Sequence, residues 1–227
     1  MTLIQFASRS AEEWISSFDP QERSLSGDLY LSLKRIMDIT MTAISMPLWM
    51  PMIILIAFMI KITSPGAPVI FTQLRTGQGG RRFGMYKFRT MVPNAEELKS
   101  KYAYLNELQW PDFKITDDPR VTRLGKFLRK TSLDELPQLF NVLRGDMSLV
   151  GPRPTSFGPE TYKLWHTHRL DAKPGITGLW QVFGRGRLEF DDRLRLDIAY
   201  IQRASLWLDV QILVLTIVAA LQQRGAH

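Results

Sequence analysis

The chain contains no cysteine, so neither disulfides nor thiolate metal sites can form. It holds only three histidines. His166, His168 and His227 are too few and too bunched for most zinc sites, and His166-x-His168 reads as a surface or loop pair. No basic n-region followed by an apolar run opens the chain, so no cleavable secretory signal is expected. Internal repeats and low-complexity tracts are absent. Charge is absent too from Ile39 to Ile60, and that gap shapes everything before the middle of the chain.

What is present is 227 residues with a net charge of +7. That length allows one sizeable domain plus an appendage. The basic excess favours an anionic partner: phosphate substrates, acidic lipid headgroups or nucleic acid. Residues 1–30 are mixed and polar, with Trp14, Ile15 and Phe18 as one short apolar cluster, and read as a mobile tail or a short surface helix.

The uncharged run is about 33 Å long as a helix, enough to cross a bilayer core. Pro47 and Pro51 sit near its middle, where a proline removes a backbone donor. Basic residues flank both ends: Lys34 and Arg35 before it, and Lys61, Arg75, Arg81 and Arg82 after it. The positive-inside tendency places both ends on the cytoplasmic face. A re-entrant helix satisfies both observations, ahead of a spanning helix or a buried soluble one. The carbonyls freed near Ile44 to Pro47 need partners, for which Ser45 or water are candidates.

Beyond the turn Ser64-Pro-Gly-Ala-Pro68, short strands at Val69–Phe71 and Phe83–Phe88 are expected to form a hairpin through Gly77-Gln-Gly-Gly80. Period two puts Lys87 and Arg89 on one face, as a solvated surface or as phosphate ligands, with Tyr86 and Phe88 on the other. Asn94 is an N-cap candidate for a helix running to about Trp110. Asp117-Asp-Pro119 is expected to cap another, with Arg123, Lys126 and Lys130 on a basic face and Leu124, Phe127 and Leu128 on an apolar one. Such a helix suits an anionic membrane surface or plain solvent.

The stretch Thr131-Ser-Leu-Asp-Glu-Leu-Pro-Gln138 carries adjacent acids amid many cations. Ser132-x-x-Glu135 matches a capping box, so capping is one reading of the pair. Pro137 favours Asp134 as the N-cap instead, because it then falls where no donor is needed. A carboxylate there can act as a nucleophile or bind Mg²⁺, with nearby cations neutralising a transferring phosphoryl group. Spacing alone leaves cap and catalyst balanced. Further on, Val150-Gly-Pro-Arg-Pro154 is a rigid extended loop presenting Arg153, and Pro174-Gly-Ile-Thr-Gly178 reads as a turn. Gly184-Arg-Gly-Arg187 offers two guanidinium groups. Asp191 to Tyr200 is expected to be helical, pairing Arg193 with Asp197, and Leu206 to Leu221 reads as a core or interfacial helix.

From about Leu33 to its end the chain resembles the bacterial sugar transferases, the monotopic phosphoglycosyl transferase superfamily. The resemblance rests on Lys34-Arg-Ile-Met-Asp38, Tyr86-Lys-Phe-Arg-Thr-Met91, Ser132-Leu-Asp-Glu-Leu-Pro-Gln138, Asn141 through Pro154, Lys173-Pro-Gly-Ile-Thr-Gly178 and Asp197-x-x-Tyr200. It is to the minimal form, without a preceding multi-helix membrane region. Relatives typically break the membrane helix at Ser-Pro, where this chain has Met50-Pro51 with a second break available at Ser45-Met-Pro47. They commonly carry Gly-Arg-Asn, where this chain has Gly184-Arg-Gly186.

The resemblance implies transfer of a sugar 1-phosphate from a UDP-sugar to undecaprenyl phosphate on the cytoplasmic face of the bacterial inner membrane, releasing UMP. By motif, Asp134 is the implied nucleophile and Mg²⁺ ligand, and Glu135 its acid/base partner. Lys87, Arg129, Arg153, Arg185 and Asp197 are implied in substrate binding, with Arg89 as an extension. Gly178-Leu-Trp-Gln181 and Ser205-Leu-Trp-Leu-Asp209 are most similar to members starting exopolysaccharide or capsule assembly with a hexose phosphate. Anionic lipid is an expected partner, a homo-oligomer is allowed, and nucleic acid is not expected because no recognition motif appears. The competing class is a membrane-anchored binding or scaffold protein without chemistry. The expected architecture is α+β, mainly α-helical. It comprises a tail (1–30), a re-entrant membrane helix broken at Pro47 or at Met50 and Pro51 (31–63), and a small helical catalytic domain with a short β-hairpin and surface amphipathic helices (64–227).

Overall fold

The computed structural model describes residues 3–19, 21–22, 27–107, 115–156, 158, 161–184 and 188–221. It begins with two short helices, α1 (Leu3–Ala7) and α2 (Ala11–Ser16), the second capped by the Ser10 hydroxyl accepting the Glu13 amide at 3.2 Å. Phe6 and Trp14 are fully buried and stand edge-on to each other. The expected tail or surface helix is thus part of the core. Two large aromatics bury enough area to hold even a short segment down.

Two helices follow, α3 (Asp28–Ile44) and α4 (Met46–Thr63), and they meet at Ser45. The Ser45 hydroxyl donates to the carbonyls of Met41 and Thr42 at 2.8 and 3.2 Å, and the Trp49 indole N–H donates to the Thr42 carbonyl at 3.0 Å. Pro47 lies in the first turn of α4, where a missing amide proton is tolerated. Met50 and Pro51 lie inside continuous helix. Of the expected break residues, then, only Pro47 adjoins the bend, because the side-chain donors that meet the freed carbonyls gather at Ser45 and Trp49. Among the described residues α4 is the one helix long and apolar enough to cross a membrane.

α4 does not stand alone. Trp49, Ile53, Ile56 and Ile60, spaced four, three and four apart, bury one stripe against the rest of the protein, while Ile54, Leu55, Phe58 and Ile62 on the other side are exposed. α3 is fastened by its Lys34-Arg-Ile-Met-Asp38 motif. Lys34 meets Asp209 at 2.8 Å, Arg35 donates to the carbonyls of Val142 and Leu143 at 2.5 and 2.8 Å, and Asp38 accepts the Leu149 amide at 3.1 Å. The two cations that flank the uncharged run on its N-terminal side therefore face protein.

Strands β1 (Ile70–Thr76) and β2 (Arg82–Phe88) form the expected antiparallel hairpin, with Leu74 opposite Gly84. β1 runs five residues past the expected Phe71. The helix expected from Asn94 is replaced by turns and a 3₁₀ turn at Ala103–Leu105, and its far end lies outside the described residues. Its exposed Glu96, Glu97, Lys99, Ser100 and Lys101 leave no buried stripe, and packing of such a stripe is what stabilises most short helices. The next helix, α5 (Arg123–Lys130), is capped by Thr122 accepting the Gly125 amide at 2.9 Å. Asp118, one of the expected caps, instead grips Arg120 at 2.6 Å. Leu128 is buried and Leu124 partly so, but Phe127, expected on the same apolar face, is exposed among the basic residues.

Helix α6 (Gln138–Arg144) ends at Gly145, whose φ of 89° suits glycine. Strand β3 (Ser148–Val150) pairs in parallel with β4 (Gly175–Thr177), so the segment read as a turn holds a strand. A 3₁₀ stretch at Leu164–Asp171 buries His166, which is no surface residue. Three helices complete the chain: α7 (Leu179–Phe183), α8 (Phe190–Gln202) and α9 (Leu206–Leu221). Their core joins Leu179, Leu196, Tyr200 and Ile212 to Val150, Phe6 and Trp14. The architecture is mixed and mostly helical with a small hairpin, as the sequence suggests.

Candidate active site

The acid pair sits in a turn forced by its flanks. α5 closes at Ser132, which takes a left-handed φ of 57°. Such a conformation costs a non-glycine residue about 1–3 kcal/mol and gathers at functional sites. The chain then enters a 3₁₀ turn, Leu133–Glu135, in which the Leu136 amide donates to the Leu133 carbonyl at 3.2 Å. Pro137, lacking N–H, cannot reach back to that carbonyl, so α6 starts only at Gln138. Neither Ser132 nor Asp134 caps a helix, which corrects both capping readings.

Leu133 and Leu136 pack toward α4, and this leaves Asp134 and Glu135 turned to the cations. Asn141 of α6 holds β2 alongside: its Oδ1 accepts the Tyr86 amide at 2.9 Å and its Nδ2 donates to the Gly84 carbonyl at 2.8 Å. Lys87 is thereby set 2.8 Å from Glu135. Arg153 reaches Glu135 at 2.6 Å from the loop after β3. That loop is stitched to β4, the Gly151 amide meeting the Thr177 carbonyl and the Gly175 amide the Pro152 carbonyl, each at 2.9 Å. A Cβ on Gly175 would fall 2.1 Å from the Gly151 amide nitrogen, so only glycine lets the strands close.

The two acids sit in opposite electrostatic states. Glu135 is desolvated, yet Arg153 and Lys87 together hold its carboxyl far below the usual carboxylate range. Asp134 is 8 % exposed, and no hydrogen bond reaches its carboxylate among the described residues. Burial raises its pKa, against the pull of Lys87, Arg129 and Arg153.

The expected site residues have four outcomes. Asp134, Glu135, Lys87 and Arg153 converge, with Arg129 alongside, its Nε donating to the Thr90 hydroxyl at 2.9 Å. Asp197 joins indirectly: it pairs with Arg169 at 2.5 Å, with the expected Arg193 acting on it through its charge, and Arg169 also donates to the Arg153 carbonyl at 2.5 Å. Arg89 turns away, its Nε donating to the Pro68 carbonyl at 2.7 Å, because β2 ends at Phe88 and the period-two face ends with it. Arg185 lies outside the described residues. The sequence reading missed Arg75 and Arg169, which line a cleft with Arg153 and Asp197. Arg75 carried a faint signal in its place on a strand facing Lys87's own strand; Arg169 carried none.

Among the described residues no three histidine, aspartate or glutamate side chains gather as a cation cage. One protein carboxylate with open lone pairs still fits Mg²⁺, which usually completes its shell with water and substrate phosphate. Asp134 offers that carboxylate.

A buried carboxylate ringed by cations, beside an exposed apolar helix, makes a site suited to an anionic ligand. Residues 29–223 match the model of the bacterial sugar transferases, and the chain belongs to that family. It is 46 % identical over 199 residues to the galactosyl transferase CpsE of Streptococcus agalactiae, covering 87 % of this chain and 44 % of CpsE. It is also 46 % identical over 200 residues to the undecaprenyl-phosphate galactose phosphotransferase of Salmonella typhimurium, covering 86 % and 42 %. The exopolysaccharide production protein ExoY of Rhizobium meliloti is 36 % identical over 229 residues, covering 99 % of this chain and 100 % of ExoY. The chain therefore spans less than half the length of the first two relatives and matches ExoY end to end.

Proposed function

We propose that this protein transfers a sugar 1-phosphate, a hexose phosphate in preference, from a UDP-sugar to undecaprenyl phosphate, with release of UMP, as the first membrane step of exopolysaccharide or other glycan synthesis. The observation that carries this reading is Asp134, a buried carboxylate that has no hydrogen-bond partner among the described residues and lies in the field of three cations. An oxygen of that group attacks the phosphorus bearing the sugar. The bond to the UMP phosphate breaks, and its electron pair departs with UMP. The phosphosugar–aspartyl intermediate is then attacked at the same phosphorus by a phosphate oxygen of undecaprenyl phosphate, which frees the Asp134 carboxylate. The cycle is ping-pong.

Lys87, Arg129 and Arg153 bind and orient the phosphates and offset the charge that develops on the transferring group. Glu135 holds Lys87 and Arg153 in place at rest. An acid/base part for it begins once substrate phosphates compete for those two cations. Mg²⁺ held by Asp134 would supply further charge neutralisation. The relatives' names support the lipid carrier, and the exposed apolar sides of α3 and α4 support membrane contact, since so large a patch is poorly tolerated in water. The first turns of α3 fasten to the catalytic body and Ile60 near the end of α4 packs on it too. That arrangement supports a re-entrant segment with the body on the cytoplasmic face.

The test is single-turnover: a donor radiolabelled in the sugar, no acceptor, Mg²⁺ present. Stoichiometric UMP and a labelled protein adduct lost in Asp134→Asn are expected. Normal turnover by Asp134→Asn would overturn the mechanism. Nucleotide-sugar binding with no UMP from any donor would identify the non-catalytic scaffold instead. Cysteines placed at Ser10 and Gly79 should label from one side of the membrane.

A further inference from the structure

Behind Arg153 lies a cleft of about 160 Å³, lined among others by Arg75, Thr155, Arg169, Trp180, Arg193 and Asp197. Four guanidinium groups, counting Arg153, meet there with one carboxylate. That carboxylate is held by Arg169 at 2.5 Å, and Arg153 is held by Glu135 at 2.6 Å. A positive excess remains, centred on Arg75. Burial and the neighbouring charge of Arg153 bring the Arg75 guanidinium down to about 10, against the pull of Glu135.

Two donors are also left unmet. The Nε atoms of Arg75 and Arg169 are sealed from solvent and have no hydrogen-bond partner among the described residues. Arg169 as a whole is only 4 % exposed. An unmet buried donor costs about 1–3 kcal/mol, and more when it belongs to a charged group. The outer nitrogens are engaged, Arg75 with the Gln73 side chain at 2.6 Å and the Pro154 carbonyl at 3.4 Å, and Arg169 with Asp197 and the Arg153 carbonyl at 2.5 Å each, so what the cleft offers a ligand is unbalanced positive charge on fixed guanidinium groups.

The size of the cleft limits what part of a ligand enters. At about 30 Å³ per water it holds roughly five water-sized groups. A phosphate with its linking atoms fits within it, and the remainder of a nucleotide sugar must lie outside. Arg153 also fixes the direction. Its guanidinium touches Glu135 beside Asp134, while its carbonyl accepts from Arg169 at 2.5 Å. A diphosphate lying across Arg153 has one phosphate at Asp134 and the other against Arg75 and Arg169.

We infer that this cleft binds the leaving-group phosphate of the donor, the one that departs with UMP, through Arg75 and Arg169. The inference rests on the transferase reading. When the phosphorus–oxygen bond breaks, the bridging oxygen keeps the electron pair and gains charge next to these two guanidinium groups. The phosphate leaves as an anion and no proton is needed. Trp180 and Phe190 also line the cleft, with the Arg193 guanidinium 5.7 and 5.8 Å from their ring centroids.

The experiment compares wild type with Arg75→Gln in the full-length chain, in detergent or lipid nanodiscs. UMP and uridine binding are titrated separately, and the two half-reactions are timed separately. Arg75→Gln should weaken UMP about tenfold or more and leave uridine unchanged. Adduct formation from donor should slow about 100-fold, while discharge of pre-formed adduct by a short polyprenyl phosphate stays within about twofold. Arg75→Lys keeps the charge without the fork and should lose less than glutamine does; it serves if the glutamine variant fails to fold. Slowed discharge with UMP binding intact would assign the cleft to the acceptor phosphate and overturn the inference, as would equal losses for UMP and uridine. If wild type releases no UMP from any UDP-sugar, the proposed function itself fails. If it does, and Arg75→Gln binds UMP normally, only the cleft assignment falls.

Discussion

Asp209 and Asp134 are both buried aspartates close to cationic partners, and their surroundings answer them differently. Asp209 is 0 % exposed and accepts from three donors: Lys34 at 2.8 Å, Tyr30 at 3.1 Å and Tyr200 at 2.6 Å. These come from α3 and α8, so the group clamps the first long helix to the last two. Asp134 has three cations near it and no hydrogen bond among the described residues. Its neighbour Glu135 takes the Lys87 and Arg153 donors instead. A carboxylate with both oxygens answered is structural. One kept in the field of cations but out of their grasp stays available to a ligand.

The sharpest way to break this comparison is to neutralise each aspartate in turn. Asp134→Asn should cut turnover about 10³-fold or more, as loss of a nucleophile does. Its thermal unfolding temperature should be unchanged or raised, since burial already disfavours the charge; UMP release and a melting curve together check this. Asp209→Asn should reverse the pattern. It leaves Lys34 buried without its charge partner, at a cost of about 3–5 kcal/mol of stability, while activity per folded molecule stays within about twofold. Unfolding followed in mild detergent measures the first number, and titrated active sites the second.

Glu135→Gln should fall between these, with about a 10- to 100-fold loss of activity. It also removes a negative neighbour that raises Asp134 and releases two cations that lower it. The rise of kcat/KM with pH, which follows deprotonation of Asp134, should therefore move to lower pH. No movement would mean that Glu135 does not shield its neighbour. Trp49→Phe loses the bond to the Thr42 carbonyl at the bend and should cost about 1 kcal/mol, seen as a lower melting temperature with normal activity. The smallest effect belongs to Arg89→Ala, whose partner is the Pro68 carbonyl and whose activity should stay within about twofold.

Much of the site was legible because its residues are close in sequence or carried on periodic elements. Asp134 and Glu135 are adjacent, the hairpin that presents Lys87 is bounded by glycines, and the prolines around Arg153 stiffen its loop. Legibility failed where a residue's role depends on a distant partner. Lys34 and Arg35 read only as a basic flank to the uncharged run, and the packed fold sets them against Asp209 and α6. Phe6 and Trp14 looked like part of a tail until α7, α8 and α9 closed over them. Arg89 followed the strand pattern on paper, yet the strand stops one residue before it.

The sequence by itself determined the uncharged segment, the hairpin, the acidic pair and the cations of the central stretch. These are set by local composition, by proline and glycine, and by short spacings. The tertiary structure alone decided the place of the bend at Ser45, the left-handed turn at Ser132 and the division of donors that leaves Asp134 open. It alone brought Arg75, Arg153 and Arg169 to one cleft. Those outcomes depend on side chains from separate elements competing for the same carbonyls and carboxylates, and that competition exists only once the chain is folded.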